Sequence, residues 1–531
     1  MTATQAPPAA VDLAEHGGFA ETLRAEWTKF RTVRGWVIGM TVATLVTVLI
    51  GLLSASGSMS SCNGQPCHFL YPVGPGGEAV TDTFYFVHRP LPANGGITAR
   101  VTSLTGELPT ATSSGRVRAG QGPESGMHPG LEPWSKGGLI IKANTTQGSA
   151  YAAIVVTGGH GVRMQYDYTQ DVAGPAGRPA PASPRWLRLT RAGDTITGYA
   201  SADGTHWTQV GAATLPGLPA TVQAGMFATS PPYSVTTAQG LLGMSGTGGP
   251  TVDTATLDHV SFRGAIPGAW TGTQLGAGPN DASPAMPGSY RQAGGTFTVT
   301  GSGDIAPDGP GGAGPGQTLD HTLVGALAGL IAVVVVAAMF ITAEYRRGLI
   351  RTTFAASPRR GRVLAAKALV IAAVSFAAGL VAAAIAIPLD SHVLRANGNY
   401  LYPVNLLAEV RLVAGTAAML AAAAVLALAL GAMLRRSAIA VTLVIAAIIL
   451  PFLVAVTNVL PTGADNWLMR LAPAAGFAIQ QTIPNYPQVS SACTVAQGCY
   501  PLAPWAGFAV LCAWAAAALA VALFLLRRRD A

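Results

Sequence analysis

The chain contains the stretch Leu412–Leu434, LVAGTAAMLAAAAVLALALGAML, which is followed by Arg435-Arg436 and then by Ser437–Leu460, SAIAVTLVIAAIILPFLVAVTNVL. Neither apolar segment carries a charged side chain. Each is long enough to cross a bilayer, because about 20 helical residues span the ~30 Å hydrocarbon core. A helix satisfies its own backbone hydrogen bonds in lipid. The stretch therefore predicts two membrane-spanning helices joined by a turn of two arginines.

Four further apolar runs of this kind bring the prediction to six spans, at residues 36–56, 321–343, 368–389, 412–434, 437–460 and 504–526. Only 11% of the 531 residues are charged, against roughly 25% in soluble domains, which argues against an ordinary soluble enzyme. A single run could instead be a buried helix of a soluble core. The first run could be a signal peptide, but its leader and its apolar segment are both long for that.

The basic residues predict the orientation in the membrane. Sixteen Lys and Arg lie in the short segments 1–35, 344–367, 435–436 and 527–531, and only three lie in 390–411 and 461–503, although the two groups have nearly equal length. Basic short loops stay in the cytoplasm, so both termini, including the tail 527–531, are expected there. The net charge of +8 is then an orientation signal and no sign of nucleic-acid binding. The chain has 4 Lys beside 28 Arg and many Ala and Gly, which suggests a GC-rich bacterial source and a plasma-membrane location.

The cysteines fit this orientation. Two close pairs fall on the predicted outer side, where disulfides persist. We expect Cys62–Cys67 and Cys493–Cys499 to form disulfides. A metal site is the alternative, although the pairs have no further Cys or His nearby except His68.

The predicted outer region between the first two spans has the period of β-strands. Alternating or β-branched stretches separated by Gly, Pro, Asn and Asp turns are typical of an antiparallel sandwich or barrel. We predict a β-sandwich over 57–263, with its core at about 80–263, and a Gly/Pro-rich tether over 264–320. The predicted strands are Phe84–Val87, Ile97–Ser103, Gly138–Ala143, Ala152–Val156, Arg163–Tyr168, Trp186–Thr190, Thr195–Ala200, Thr208–Ala212, Val222–Ala228 and Asp258–Phe262.

Three motifs in this region resemble the concanavalin A-like jelly roll of lectins: PWSKGGLIIK at 133–142, WLRL at 186–189 and YASADGTHW at 199–207. The resemblance implies that the outer domain is an all-β jelly-roll sandwich. Together with the six apolar runs, this predicts a polytopic α-helical membrane protein with six transmembrane helices and an extracellular jelly-roll sandwich inserted between helices 1 and 2. Trp134, Trp186 and Trp207 are candidate ligand-facing aromatics that could bind an extracellular glycan. The alternative is that they pack in the core or at its rim. No Asp/Glu pair stands out as an acid–base couple.

Two basic segments are predicted on the cytoplasmic side. After a disordered N-terminus at 1–18, residues 19–35 place Phe19, Leu23, Trp27, Phe30 and Val33 on one arc of an amphipathic helix, with Glu26 on the same arc. Glu26 is expected to pair with a basic neighbour or to face a partner protein. The loop 344–367 has seven basic residues, and Leu349–Ala356 is long enough for a short helix between Gly348 and Ser357-Pro358. A merely positive-inside loop is the alternative. Lys367, Glu409 and Arg411 lie at span ends, where snorkelling would explain them.

These segments resemble the ABC-2 type permeases, the membrane subunits of ATP-binding-cassette exporters. The matching residues are LRAEWTKFRTVRGW at 23–36 and TAEYRRGLIRTTFAASPRRGRVLAAK at 342–367. The resemblance implies an elbow helix that includes Leu23, Glu26, Trp27, Lys29 and Arg31. It also implies a re-entrant segment at 467–481 within the outer loop 461–503, and an ATPase-coupling loop that includes Glu344, Arg346, Arg347, Gly348, Leu349, Arg351, Phe354, Pro358, Arg359 and Arg360.

The same resemblance implies a transport subunit that is no enzyme itself. The chain has no G-x-x-x-x-G-K-[ST] loop for nucleotide phosphates, so no cofactor is expected in it. ATP and Mg would be bound by a partner ATP-binding subunit, and two permease chains would form a dimer. The large insertion departs from smaller relatives and leaves the substrate open. The alternatives are a membrane-anchored glycan receptor or cell-wall-binding protein, and an enzyme with its site in the sandwich.

Overall fold

The computed structural model describes residues 18–528 except 63–64, 67–70, 110–125, 240–242, 265–267, 277–284, 311–315, 350–351, 353–358, 458, 461 and 490–493. Six of its helices are long and apolar enough to cross a membrane. The prediction of six helices with the length and composition of membrane spans is therefore confirmed. The α-helices with described bounds are α1 (Phe19–Thr32), α2 (Arg34–Gly57), α3 (Ala326–Arg346), α4 (Arg360–Ala396), α5 (Leu406–Leu434), α6 (Ser437–Thr457), α7 (Thr462–Leu471) and α8 (Pro504–Arg528).

The observed helices differ from the predicted spans mainly at their ends. Helix α4 has 37 residues and continues beyond the predicted span 368–389 at both ends, so that Lys367 and Asp390 lie inside it. Before the last span, α7 is followed by a buried 3₁₀ helix, Pro473–Gln480. These two short helices occupy the segment that the sequence predicts to be re-entrant.

Helices α2 and α3 pack closely because two glycines face α2, Gly325 immediately before α3 and Gly329 in its first turn. A Cβ atom on Gly325 would lie 2.0 Å from the backbone oxygen of Thr47, and one on Gly329 would lie 2.0 Å from the Thr47 hydroxyl oxygen. Small residues four positions apart permit such an approach in membrane helices. This contact fixes the first two spans against each other.

In chain order the strands come after α2 and before α3, and they form a β-sandwich of two antiparallel sheets. The seven-stranded sheet has the order β10 (Gln170–Ala173), β9 (Val162–Tyr166), β8 (Tyr151–Thr157), β7 (Lys136–Lys142), β14 (Thr221–Thr229), β4 (Phe84–Pro92) and β18 (Thr271–Leu275). The second sheet has the order β13 (Thr208–Thr214), β12 (Thr195–Ser201), β11 (Arg185–Ala192), β5 (Asn94–Pro109), β17 (Val252–Arg263), β20 (Thr296–Gly301) and β19 (Ser289–Ala293), with β6 (Met127–Pro129) paired to β5.

The described residues also form three two-stranded ribbons: β1 (Ser61–Cys62) with β2 (Gln65–Pro66), β15 (Tyr233–Gln239) with β16 (Gly243–Gly249), and β3 (Val80–Asp82) with β21 (Ile305–Pro307). The apolar core between the two large sheets includes Val87, Leu139, Ile154, Leu189 and Val299. Alternate strand residues point into it, as a sandwich requires. Each of the ten predicted strand stretches overlaps an observed strand.

The structure corrects the predicted tether. Four strands, β18 to β21, lie within 264–320. Strand β18 pairs with β4, and β20 pairs with β17. Phe297 and Val299 of β20 are buried in the sandwich core. The segment has too many Gly, Pro and Ser residues to show a strand pattern by composition, yet its short alternating run Thr296-Phe297-Thr298-Val299 is a strand. The two sheets of the sandwich therefore extend to residue 301.

The predicted disulfides fall partly outside the described residues, because these exclude Cys67 and Cys493. Cys499 is disulfide-bonded, and Cys512 has a free thiol. The two pairings remain predictions.

Candidate functional site

A buried ion cluster joins the amphipathic helix α1 to two membrane helices. The Lys367 ammonium of α4 lies 2.6 Å from Glu26 Oε2 of α1 and 2.7 Å from Glu344 Oε1 of α3. Lys29 of α1 lies 2.8 Å from Glu26 Oε1 and 3.2 Å from Glu344 Oε1. Two cations and two carboxylates thus alternate around a closed ring. Lys367 is fully buried, and Glu26 and Glu344 are nearly so.

The local sequence explains how α1 reaches this position. The chain leaves the helical conformation only at Val33, between α1 and α2, so α1 can turn back against the bundle. Glu26 and Lys29 are three residues apart and therefore lie on the same face of α1. Phe30 follows on that face and packs against Trp36 and Phe340, with ring centroids 6.1 and 5.7 Å away.

Each charged group of the cluster has at least one oppositely charged partner within 3.2 Å. Burying a charge costs several kcal/mol unless it is paired and hydrogen-bonded. The Lys367 ammonium has both carboxylates as partners, and it also lies 4.7 Å from the centre of the Phe340 ring. Burial lowers the pKa of Lys29, but the hydrogen bonds and charges of Glu26 and Glu344 outweigh it and leave the pKa raised. Lys29 therefore stays charged at neutral pH.

This cluster corrects the snorkelling interpretation of Lys367. Because α4 begins at Arg360, Lys367 lies two turns inside the helix rather than at its end, and its side chain points into the protein. Arg411, the second residue interpreted this way, donates to the backbone oxygen of Gln481. Glu409 is exposed. Glu26 is expected either to pair with a basic neighbour or to face a partner protein. In the structure it pairs with two basic residues, Lys29 and Lys367.

The other predicted elbow residues lie around the cluster. Leu23 is partly buried against the helix core. Trp27 is 46% exposed, and Arg31 is exposed beside it. Helix α1 therefore buries an edge that carries Glu26 and Phe30 and leaves its tryptophan outside the protein core, as a helix at a membrane interface does.

The predicted coupling residues divide into three groups. Glu344 belongs to the ion cluster. Arg346, Arg347, Leu349 and Arg359 are exposed, Gly348 adopts a positive φ of 68°, and Arg360 donates to the backbone oxygen of Leu526 at the end of α8. Arg351, Phe354 and Pro358 lie outside the described residues, as does the predicted helix Leu349–Ala356 except for Leu349 and Thr352. An exposed basic and apolar surface thus adjoins the ion cluster.

The three candidate tryptophans of the sandwich have different surroundings, although Trp186 and Trp207 both contact Gly204. Trp134 is buried and stacks on His160 at 3.9 Å. Trp186 packs beneath Gly204, where a Cβ atom would lie 2.8 Å from the indole. The Arg188 guanidinium covers one face of Trp207 at 3.7 Å. Side chains or backbone of the same chain therefore cover part of each ring.

Sequence reasoning missed a feature that the lysines share. Lys136 pairs with Asp304 at 2.6 Å, and Lys142 pairs with Asp82 at 2.7 Å; both lysines are fully buried. All four lysines of the chain therefore lie in ion pairs, and three of them are fully buried. The rarity of lysine beside 28 arginines is a signal that could have drawn attention to these positions.

The fold and the site define a membrane protein with six candidate spanning helices and a β-sandwich domain. No sequence family and no curated protein matches the chain. Among solved structures, a protein of unknown function from Saccharomyces cerevisiae is 13% identical, with a TM-score of 0.21, over 40% of this chain and 93% of its own. Scytalido-glutamic peptidase with a transition-state analog inhibitor is 8% identical, with a TM-score of 0.24, over 41% and 98%. Peanut lectin with a 9mer peptide is 9% identical, with a TM-score of 0.16, over 47% and 97%.

Proposed function

We propose that the chain is the permease subunit of an ABC-2 type transporter, an exporter driven by a separate ATPase. In this proposal α1 is the elbow helix, and the loop between α3 and α4 docks on the ATPase in the cytoplasm. The sandwich is a concanavalin A-like domain inserted between the first two spans and lies outside a bacterial plasma membrane. ATP and Mg are bound by the partner, and two permease chains form the pathway.

The observation that carries the proposal is the ion cluster of Glu26, Lys29, Glu344 and Lys367. It ties the interfacial helix to the helices on both sides of the coupling loop, because α3 ends and α4 begins within about two turns of the cluster. A force applied to this loop by a partner would therefore move α1, α3 and α4 together. A protein whose helices only hold the sandwich in place has no need of such a connection.

Electrostatics favour an acidic partner surface. Arg346, Arg347 and Arg359 are exposed beside the cluster, and Leu349 adds an apolar side chain that is 48% exposed. A charged rim around an apolar contact is typical of protein interfaces. The substrate stays undefined in the proposal.

The test is co-expression of the chain with an ATP-binding-cassette ATPase encoded next to its gene. We expect the two to co-purify and the ATPase rate to rise in the complex. Arg351→Ala with Phe354→Ala in the loop should abolish both effects, whereas Arg291→Ala, at an exposed position of the sandwich, should not. Retained binding in the loop variant would remove the coupling assignment, and the absence of any ATPase partner would remove the proposed function.

A further inference from the structure

The two strands through which the chain enters and leaves the sandwich pair with each other. Strands β3 and β21, here called the stalk, form an antiparallel ribbon with Asp82 opposite Ile305 and Val80 opposite Pro307. Val80 and Ile305 are buried with Phe84, Phe86 and Phe227. Those phenylalanines lie on the face of the seven-stranded sheet that points away from the sandwich core. The stalk therefore covers part of that outer face.

Two buried ion pairs hold the stalk on the sheet. Lys136 and Lys142 are the first and last residues of β7. Lys136 pairs with Asp304, next to β21, and Lys142 pairs with Asp82 at the end of β3. The Tyr168 hydroxyl donates to Asp82 as well, at 2.8 Å. Buried pairs of this kind are costly to break, so the stalk and the sheet behave as one unit.

Beyond the stalk, the chain meets the end of the helix bundle in a region that we call the neck: residues 58–60, 71, 308–309, 316–317, 397–402 and 483–488. Tyr71, Tyr400 and Tyr402 form an aromatic cluster there, with centroid distances from 4.0 to 6.1 Å. Ala79 and Ile483 pack against this cluster. Aromatic side chains contribute large contact areas with few rotatable bonds.

Backbone hydrogen bonds reinforce the neck. Gln317 forms a parallel bridge with Leu401: its N–H donates to Tyr400 O at 2.8 Å, and its carbonyl accepts from Tyr402 N–H at 3.0 Å. The Gln317 amide donates to Asn399 Oδ1 at 3.1 Å. The Asn399 amide donates in turn to the backbone oxygen of Ser58 at 2.9 Å. The chain segments entering and leaving the sandwich are thus both bonded to the α4–α5 connection.

A third contact comes from the loop before α8. Gln488 is buried, and its amide donates to the backbone oxygen of Tyr168 at 3.1 Å. Tyr168 is the same residue that binds Asp82 of the stalk. The sandwich is therefore attached to the bundle at separate points around its base.

We infer that the sandwich is mounted rigidly on the helix bundle, so that a displacement of the α4–α5 connection turns the whole sandwich. A random-coil tether over 264–320 would have an end-to-end distance of roughly 40 Å and would leave the sandwich free to tumble. The structure replaces it with a paired stalk and a hydrogen-bonded neck. The stalk also covers part of the outer face of the seven-stranded sheet, so that this part is not accessible to a ligand.

Distances between spin labels on the full chain in lipid nanodiscs test whether the sandwich is attached rigidly to the helix bundle. All labelled variants also carry Cys512→Ser. Labels at Gln209→Cys on β13 and Leu406→Cys at the start of α5 measure the distance between the sandwich and the helix bundle. Labels at Gln209→Cys and Ser289→Cys, both on exposed positions of one sheet, report on the sandwich alone. We expect equally narrow distance distributions for the two pairs. A sandwich–bundle distribution several times wider than the sandwich reference would overturn the inference.

Variants that weaken the neck provide a second test of the rigid attachment. Gln317→Ala with Asn399→Ala and Tyr402→Ala should broaden the sandwich–bundle distribution and leave the sandwich reference narrow, and Arg291→Ala should change neither. An unchanged distribution in the triple variant would contradict the role of the neck. If the triple variant does not fold, Gln317→Cys with Leu401→Cys in the otherwise intact chain should form a disulfide spontaneously, and absence of that disulfide in folded protein would count against the mount. None of these readouts depends on transport or on an ATPase.

Discussion

The Lys367 ammonium lies 2.6 Å from the Glu26 carboxylate, although 341 positions separate the two residues in the chain. One belongs to the amphipathic helix α1 and the other to the membrane helix α4. Both side chains are excluded from solvent. Their contact makes α1 a part of the helix bundle and not only a helix resting on the lipid surface.

Removal of Lys367 should destabilise the protein strongly. Lys367→Met keeps the size and apolar stem of the side chain but leaves Glu26 and Glu344 facing each other with Lys29 as their remaining cation. Breaking a buried ion pair by removing one partner costs about 3 kcal/mol or more. We expect a clear drop in the melting temperature of the detergent-purified protein.

The matched control for this change is Arg346→Met. It removes a cation from the same end of the bundle, but Arg346 is exposed, so its loss should have little effect on melting. Adding Glu344→Gln to Lys367→Met removes one of the two carboxylates and should restore part of the lost stability. Equal melting temperatures for Lys367→Met and the unaltered protein would mean that the cluster contributes nothing to the fold.

The stability of the neck should depend on pH through Asp308. Burial raises the pKa of Asp308 to about 7, against the lowering effect of hydrogen bonds from Gly309, Tyr71 and Tyr402; the nearby Asp304 raises it further. The folded protein then holds this proton more tightly than the unfolded chain, whose carboxyl pKa is about 3.9. The contribution to stability is therefore complete below pH 4 and is lost as the pH rises toward 7.

Asp308→Asn isolates this effect from other titrating groups. The amide cannot ionise, so the variant should lose less stability than the unaltered protein between pH 5 and pH 8. Melting curves at the two pH values measure the difference. An identical pH dependence in both proteins would show that Asp308 does not titrate in this range.

The extent of the sandwich gives a further prediction. A soluble fragment covering 71–310 should fold, whereas one covering 80–263 should aggregate, because the shorter fragment lacks β18 to β21. It loses the buried Phe297 and Val299, each worth about 1.5–3 kcal/mol, and it exposes the edges of β4 and β17. Circular dichroism and limited proteolysis of the two fragments would decide, and a well-folded 80–263 fragment would show that the added strands are dispensable.

The spans and most strands of the two large sheets could be predicted because each depends on a pattern within its own segment, as in Leu412–Leu434 or Trp186–Thr190. The ion cluster could be predicted only in part. The sequence shows that Glu26 lies on the apolar arc of α1, but its partner Lys367 comes from a distant helix, and no local pattern records that contact. The stalk was missed for the same reason, since β3 and β21 have three residues each and become strands only by pairing with each other.

The two glycines at the start of α3, Gly325 and Gly329, provide a prediction that separates backbone from side-chain contacts. Gly325→Ala should destabilise the protein, by about 1–3 kcal/mol as overpacking does, because its Cβ would meet the backbone oxygen of Thr47, which cannot rotate away. Gly329→Ala meets the Thr47 hydroxyl instead, so adding Thr47→Ala should rescue Gly329→Ala but not Gly325→Ala. Gly35→Ala is the control, since no atom lies within 4 Å of its Cβ position. Melting temperatures of the five variants and of the unaltered protein measure the effects. Rescue of both glycine variants by Thr47→Ala, or of neither, would contradict the packing of α2 against α3 described above.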